Sequence, residues 1–592
     1  MPPIFHIDSY EDCLQKNKHF CRASLKLYPS KTTHSTKVWN LIQETKRFKT
    51  YYNHDELYHA ICINDSLVNK NSTSSLKTAV TKMYAQKYED RGLTTEVVTI
   101  ECENLVYRTN TFDISLLCFI VIYLILIILA TAYHIKTNDV QKISRCIIVF
   151  SIYYNLTKLY KMYRHDNFQK LHCIQSIRFF TTVLVIFCHT FCSFAGGYIA
   201  NTKYLEDIPS NVIRHSIRIL FVFLVQTFFL ISAWLLSYNT FTIFKNTKNI
   251  NVVKYTFVTI VNRYLRIIPP VLLMVCLGRS VWIYGTFSGP VKNVYSDKEY
   301  QRCQKNWWIV LLFLSNHYQQ HEMCYFTAWY LSADTQLYVL SLLFLTLMLK
   351  FKQLKIFLMI LCLLLGIIIP SVVSYLYNLD TIYRINPENA KNNGFLSFEF
   401  SATYTSTYSN MATYTLGLIF GYVYFRVENK VVFKKNIYVL VCWTLATGLP
   451  LLIVMIPAFE YGKITSTILA GILKPLYAFG IGLGIFGMLK DTGGWLKKLC
   501  SWKPFVFFGN FTYTTYVVHF GIVFYRTAST RTPIYISDYN LFVAFLQDVG
   551  LSFICGFIVH LLLEMPLSQL QHIFVFKFSV HKAKHYKKRE TT

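Results

Sequence analysis

Runs of about 18 to 24 mostly apolar residues recur from Ile114 to the carboxyl-terminal region, separated by short connectors rich in lysine and arginine. At 1.5 Å per helical residue, each run has the length that crosses a hydrocarbon layer roughly 30 Å thick. A water-soluble chain of 592 residues would divide into several separate cores. Here 53% of residues are hydrophobic and only 15% charged, so the recurring length predicts membrane helices instead. The fold class expected is an all-α polytopic membrane protein of about eleven transmembrane helices, one anchor and then a ten-helix bundle, behind a small disulfide-containing amino-terminal outside domain.

The first run, Ile114 to Tyr133, follows acidic residues (Glu96, Glu101, Glu103, Asp113) and precedes basic ones (Lys136, Lys142, Arg145, Lys158). The positive-inside rule then places residues 1–113 outside and 134–172 in the cytosol. Further spans are expected near 175–195, 217–237, 267–285, 327–348, 356–376, 411–425, 437–457, 464–489, 504–525 and 541–563, with an outside amino terminus and a cytosolic carboxyl terminus. Residues 146–156 are too short to span and read as a cytosolic surface helix. The net charge of +28 is dispersed among connectors with no single basic face, which argues for the lipid surface as its anionic partner and against nucleic acid.

Six cysteines, Cys13, Cys21, Cys62, Cys102, Cys303 and Cys324, fall in the expected outside regions, an even number in an oxidising compartment, and are disulfide candidates. Asn64 and Asn71 sit in outside glycosylation sequons; the sequon at Asn155 is expected to be cytosolic and unused. No apolar signal region precedes residue 114.

An ionisable group at membrane depth is costly unless paired or hydrated. Arg178 and His189 lie eleven residues apart in one run, three helical turns plus about 20°, so they share a face and stand roughly 16 Å apart. That spacing suits an anionic donor held at the arginine and a base deeper in the membrane, for which a neutral imidazole is the usual choice. Spacing alone favours the plainer alternative of an interfacial anchor and a packing histidine. Arg263 and Arg266 share a face at the expected cytosolic edge and are candidate donor-binding residues, although span entrances collect arginine anyway. Gln226, Trp329, Asp334, Gln336, Tyr338, Asn410 and His519 are candidates for acceptor contact or support. Lys474, Asp548 and His560 also lie in spans, and Lys474 is a possible partner for Asp548. No metal-ligand spacing, Walker loop, Rossmann fingerprint or nucleophile elbow is present.

In order along the chain, IRFFTTVLVIFCH, VQTFFLISAWLLS, NRYLRIIPP, CYFTAWYLSADTQLYVLS, YTLGLIFGY, WKPFVFFGNFTYTTYVVH and LLLEMPLSQLQ resemble successive blocks of the insect and nematode nose-resistant-to-fluoxetine group of the acyltransferase 3 superfamily. FHIDSYEDCLQ, HFCRASL and HAICIND resemble the cysteine region of that group's amino-terminal domain. The resemblance implies that Arg178 and His189 are the catalytic Arg-x10-His motif, and it begins partway into the amino-terminal domain, which points to a truncated start. Four positions depart from the pattern: Gln226 stands where the family has aspartate, Asn410 where it has arginine, Thr413 in place of that block's proline, and Leu67 where a further cysteine is expected.

The domains expected are 1–110 outside, 114–133 first transmembrane helix, 134–172 cytosolic linker, 173–570 acyltransferase 3 membrane domain, and 571–592 basic cytosolic tail. The function implied is acyl transfer to a hydroxyl on a lipid, sugar or small molecule, with acetyl-CoA or a longer acyl-CoA as co-substrate, no tightly bound cofactor and no metal. Membrane lipids, acyl-CoA and the acceptor are the expected partners, and the plasma membrane or endoplasmic reticulum the expected location. The alternative is a lipid or small-molecule transport or uptake factor on the same fold without turnover; a scaffold with a partner-binding outside domain is a third reading.

Overall fold

The computed structural model describes residues 1–579 apart from 16–17, 31–36, 49, 65–72, 103–107, 138–140, 142, 162–165, 248–249, 285–288, 290–295, 392–396 and 460. Asn71, Leu67 and most of the basic tail lie outside the described residues. Asn64 is described, and it is exposed just beyond a strand end.

The amino-terminal region is a mixed α/β domain rather than helical. Its sheet comprises β1 (Phe5–Ile7), β2 (His19–Pro29), β3 (Glu56–Ile63) and β4 (Leu93–Cys102) in the order β1-β3-β2-β4. β1 runs parallel to β3, and β2 lies antiparallel to both β3 and β4. In β2 the side chains of Cys21, Ala23, Leu25 and Leu27 are wholly buried while the residues between them are less so, the period-2 alternation of a strand covered on one face. Helix Thr73–Glu89 closes that face, and Val80 and Tyr84 join Leu25, Leu27 and Leu57 in the core. Cys13–Cys62 and Cys21–Cys102 cross-link this domain, and Cys303–Cys324 closes a loop of the bundle, so all six candidate cysteines are paired.

Among the described residues, nine helices are long and apolar enough to cross a membrane: Thr111–Thr137, Leu171–Ala195, Val212–Asn246, Val252–Arg279, Ala328–Lys350, Lys355–Tyr377, Asn436–Ala458, Lys463–Leu489 and Asp538–Phe574. The two further spans expected at 411–425 and 504–525 are also helical but differ in character. Thr407–Val427 opens on a hydroxyl-rich turn, and the second breaks into Lys503–Gly509 and Thr512–Ala528. The Val252–Arg279 helix starts well before the expected 267 and continues through Pro269 and Pro270, which moves Arg263 and Arg266 from its entrance to its middle.

Val212–Asn246 is the central helix, with 78% of its apolar window buried by protein, whereas Thr111–Thr137 has only 11% buried and shows its apolar sides outward. The central helix crosses Thr407–Val427 at backbone contact. A Cβ on Gly417 would lie 2.5 Å from the Leu230 carbonyl oxygen, and one on Gly421 2.4 Å from that of Trp234. This small-xxx-small pattern lets dispersion and packing join helices where no hydrophobic force does.

The surface helix expected at 146–156 has an exposed face, with Ile147 and Tyr153 on it, and packs its other face on the bundle. Arg145–Ile148 and Ile152–Lys161 are two short helices; Ser151, between them, and Asn155, in the second, are fully buried. His134 Nδ1 meets Ser151 Oγ at 2.9 Å, and Gln569 donates to Asn155 Oδ1 at 2.7 Å. The two polar groups find partners on helices distant in sequence, which local periodicity does not register.

Candidate active site

The outside-type domain sits on one end of the bundle. Tyr52 donates its hydroxyl to the Ala195 carbonyl at 2.9 Å, and His54 Nε2 lies 2.9 Å from Glu206. The Asn53 amide donates to Glu388 at 3.0 Å, and Phe5 packs on Tyr198. Beneath this contact the bundle encloses a cavity of about 190 Å³. Its wall is mainly apolar and aromatic, including Val185, Phe221, Val225, Phe326, Trp329 and Phe520, with His189, Tyr404 and Tyr516 among its polar members. Glu299, Arg302 and Lys391 also line it, and Lys391 lies 4.3 Å from the Tyr58 ring centroid, so the sheet domain touches a residue of the cavity wall. Burial pushes the Glu299 carboxyl up, against the opposing pull of Arg302 and the Tyr325 amide.

His189 comes from the Leu171–Ala195 helix, whose continuous apolar pattern carries it to membrane depth. Its Nδ1 lies 2.7 Å from Nε2 of His519 on the Thr512–Ala528 helix, and His519 Nδ1 is 2.6 Å from the Tyr516 carbonyl oxygen. The next turn is fixed by a separate network. Asp548 accepts from Thr190 at 2.7 Å and is held by Arg526 at 2.9 Å, while Arg526 also donates to Ser193 at 2.9 Å. Asp548 therefore pairs with Arg526 and not with Lys474. Lys474 is turned instead to the Thr403 carbonyl at 2.6 Å and to Ser409, capping carbonyls freed where the chain enters Thr407–Val427.

The three candidate arginines have different duties. Arg263 ion-pairs with Asp334, donates to Ser232 at 3.2 Å and lies over the Tyr338 ring at 3.9 Å. A buried aspartate needs a cation, and Arg263 supplies it, a structural duty beside the donor contact expected of it. Arg266 is largely exposed and reaches Glu564 only at 3.9 Å. Arg178 lies within the electrostatic field of Arg266, Arg263 and Asp334, but among the described residues no carboxylate forms an ion pair with it. Arg178, and beside it the loosely held Arg266, are the cations with capacity to spare.

The support residues are also distributed by the fold. Trp329 is on the cavity wall, 4.8 Å from the Tyr404 ring. Gln336 is a structural tie: it donates to the Phe313 carbonyl at 2.7 Å and to Asn316 Oδ1 at 2.9 Å, and it accepts from Thr407. Gln226 and Asn410 are fully buried and bonded to each other at 2.8 Å. Sequence reasoning missed Arg526, Glu299 and Lys391. The need of Asp548 for a cation was the available signal for Arg526, whereas the other two sit on helices between the apolar runs, Glu299 on Lys298–Leu311 and Lys391 on Pro387–Lys391, where nothing local points to a cavity.

Residues 171–567 match the model of the acyltransferase domain family, acyltransferase 3. The chain is similar to Nose resistant to fluoxetine protein 6 of Caenorhabditis elegans, 21% identical over 470 residues, which is 72% of this chain and 54% of that protein. It thus spans about half the length of that curated relative. No solved structure matches.

Proposed function

The chain belongs to the acyltransferase domain family, in the group resembling the nose-resistant-to-fluoxetine proteins, and on that premise we propose that it is a membrane-bound O-acyltransferase moving an acyl group from acyl-CoA to a hydroxyl acceptor. The observation that carries this reading is the placement of the two motif residues. His189 opens on an apolar cavity beneath the sheet domain, while Arg178, about 16 Å away along the same helix, forms no ion pair with a carboxylate among the described residues. An acyl-CoA phosphate at Arg178, aided by Arg266, would leave the thioester reaching toward His189. There the acceptor hydroxyl gives its proton to the imidazole, and its oxygen attacks the thioester carbonyl. The collapsing tetrahedral intermediate expels the CoA thiolate, which takes the proton back.

The wall chemistry supports an acceptor with an apolar body, such as a lipid or hydrophobic small molecule. Membranes holding the protein are incubated with labelled acetyl-CoA or longer acyl-CoAs and candidate acceptors. Transfer that depends on His189 is the expected result; transfer unchanged in His189→Ala removes the assigned base.

A second reading, a transport or uptake factor on the same fold without turnover, is favoured by the neutral Gln226–Asn410 pair at two positions where the resemblance expects charge. A transporter moves substrate between leaflets without releasing free CoA, which the same incubation measures.

A further inference from the structure

We propose that His519 is the positioning residue of the proposed transferase: it fixes the proton of His189 on Nδ1 and so leaves Nε2 as the free base on the cavity. This rests on the acyltransferase reading of the site.

The argument starts from an atom whose role is unambiguous. A backbone carbonyl can only accept, so the 2.6 Å contact between His519 Nδ1 and the Tyr516 carbonyl requires a proton on that nitrogen. A neutral His519 then has an unprotonated Nε2. That nitrogen lies 2.7 Å from His189 Nδ1, and two nitrogens at this distance need one proton between them, so His189 donates from Nδ1. A neutral His189 is left with a bare lone pair on Nε2.

Ring geometry agrees. The two imidazoles are 13° from parallel with centroids 5.0 Å apart. Together with the short N···N distance this describes rings joined edge to edge in nearly one plane, the direction in which a ring N–H points, rather than rings piled face to face. The Nε2 of His189 has no hydrogen-bond partner among the described residues and is not sealed from solvent-sized space, while its side chain lines the cavity.

The arrangement does with neutral groups what a carboxylate usually does behind a catalytic histidine. Neither imidazole has a carboxylate among its hydrogen-bond partners in the described residues, and a buried carboxylate at this depth would itself need a cation. His519, wholly buried, supplies an acceptor without that cost. When His189 Nε2 takes the acceptor's proton, its Nδ1 proton shifts toward His519 Nε2 and the positive charge spreads over both rings. When the thiolate leaves, Nε2 returns the proton and the pair is restored.

The test combines a tautomer measurement with turnover. In the full-length protein carrying 15N-labelled histidine rings, with His189 assigned by its loss in His189→Gln, the nitrogen spectrum of the wild type is expected to show Nδ1 protonated and Nε2 bare. His519→Leu removes the acceptor and is expected to lower kcat about 100-fold with acceptor KM within about twofold. His519→Gln, whose amide oxygen can accept from Nδ1, is expected to recover at least tenfold of that loss. A wild-type His189 protonated on Nε2 overturns the proposal, as does full turnover in a folded His519→Leu whose His189→Ala counterpart is inactive. If the wild type transfers no acyl group at all, the enzymatic reading fails on its own, and the tautomer still decides whether His519 orients His189.

Discussion

Gln226 donates its side-chain amide to Asn410 Oδ1 at 2.8 Å, joining two fully buried residues 184 positions apart. Both are positions where the resemblance expects charge, aspartate at the first and arginine at the second. The two departures are thus one contact. An ion pair of opposite charges and a pair of amides are alternative ways to satisfy the same buried site, and a mixture of the two is not. Asn410 also donates to the Tyr404 and Ser406 carbonyls at 3.0 and 2.9 Å, so the amide holds the turn that leads into Thr407–Val427.

Gln226→Asp alone and Asn410→Arg alone should each destabilise the protein by about 3 kcal/mol, since each buries an uncompensated charge. The double substitution should recover much of the loss. Thermal unfolding in detergent of the four proteins gives the coupling directly; strictly additive effects would show that the two sites are independent.

Arg263 and Arg178 should separate by phenotype. Arg263→Ala orphans Asp334 and should lower stability by about 3–5 kcal/mol. Arg178→Ala breaks no ion pair among the described residues and should leave unfolding nearly unchanged while weakening acyl-CoA binding about tenfold or more. Binding to purified protein, read beside the melting curve, checks both. Equal acyl-CoA affinity in wild type and Arg178→Ala would refute the donor assignment.

Replacing Gly421 by leucine should separate the central helix from Thr407–Val427, because even a Cβ there would lie 2.4 Å from the Trp234 carbonyl oxygen. The expected outcome is loss of the monodisperse detergent-solubilised protein. Gly448, whose Cβ would meet nothing within 4 Å, should accept alanine without that effect. Indistinguishable behaviour of Gly421→Leu and Gly448→Ala would contradict the close crossing.

The sheet domain should loosen in mild acid. Burial holds the His59 imidazole down to about 4 from its ordinary 6.5, only partly opposed by the Pro3 carbonyl it contacts at 3.0 Å. The unfolded chain therefore takes up a proton at higher pH than the folded one. Stability is complete above pH 6.5 and falls by about 3 kcal/mol as pH drops toward 4. Asp55 and Glu56, whose burial is outweighed by their bonds to Lys26 and Lys46, have lowered values and act only at still lower pH. Hydrogen exchange along β3 at pH 7 and pH 5 measures the change, which His59→Gln should flatten. Protection that does not vary with pH in the wild type would count against it.

Much of the architecture was legible because membrane helices are written in length and hydropathy, which are local. The same locality sets its limit. Residues 411–425 and 504–525 were expected to span and are helical, but the polar side chains the first buries, such as Asn410 and Thr413, and the break of the second between Gly509 and Thr512 are not written in length and hydropathy. In β2 the alternating HFCRASLKLY was a readable strand signal that the expectation of an all-helical protein passed over. At the site, the eleven-residue spacing of Arg178 and His189 was readable from one helix. The duty of Arg263 was not, because its partner Asp334 is 71 residues away.

The sequence by itself determined that the chain carries repeated membrane-length apolar runs, which six cysteines are available for pairing, and that a histidine lies three turns from an arginine on one face. These follow from apolar run length, compartment chemistry and helical pitch. Only the tertiary structure decided which buried polar groups satisfy one another: Gln226 with Asn410, Arg263 with Asp334, Arg526 with Asp548, and His189 with His519. A buried donor or acceptor must find a partner, but the partner is chosen by proximity in space, and helices far apart in sequence supply it.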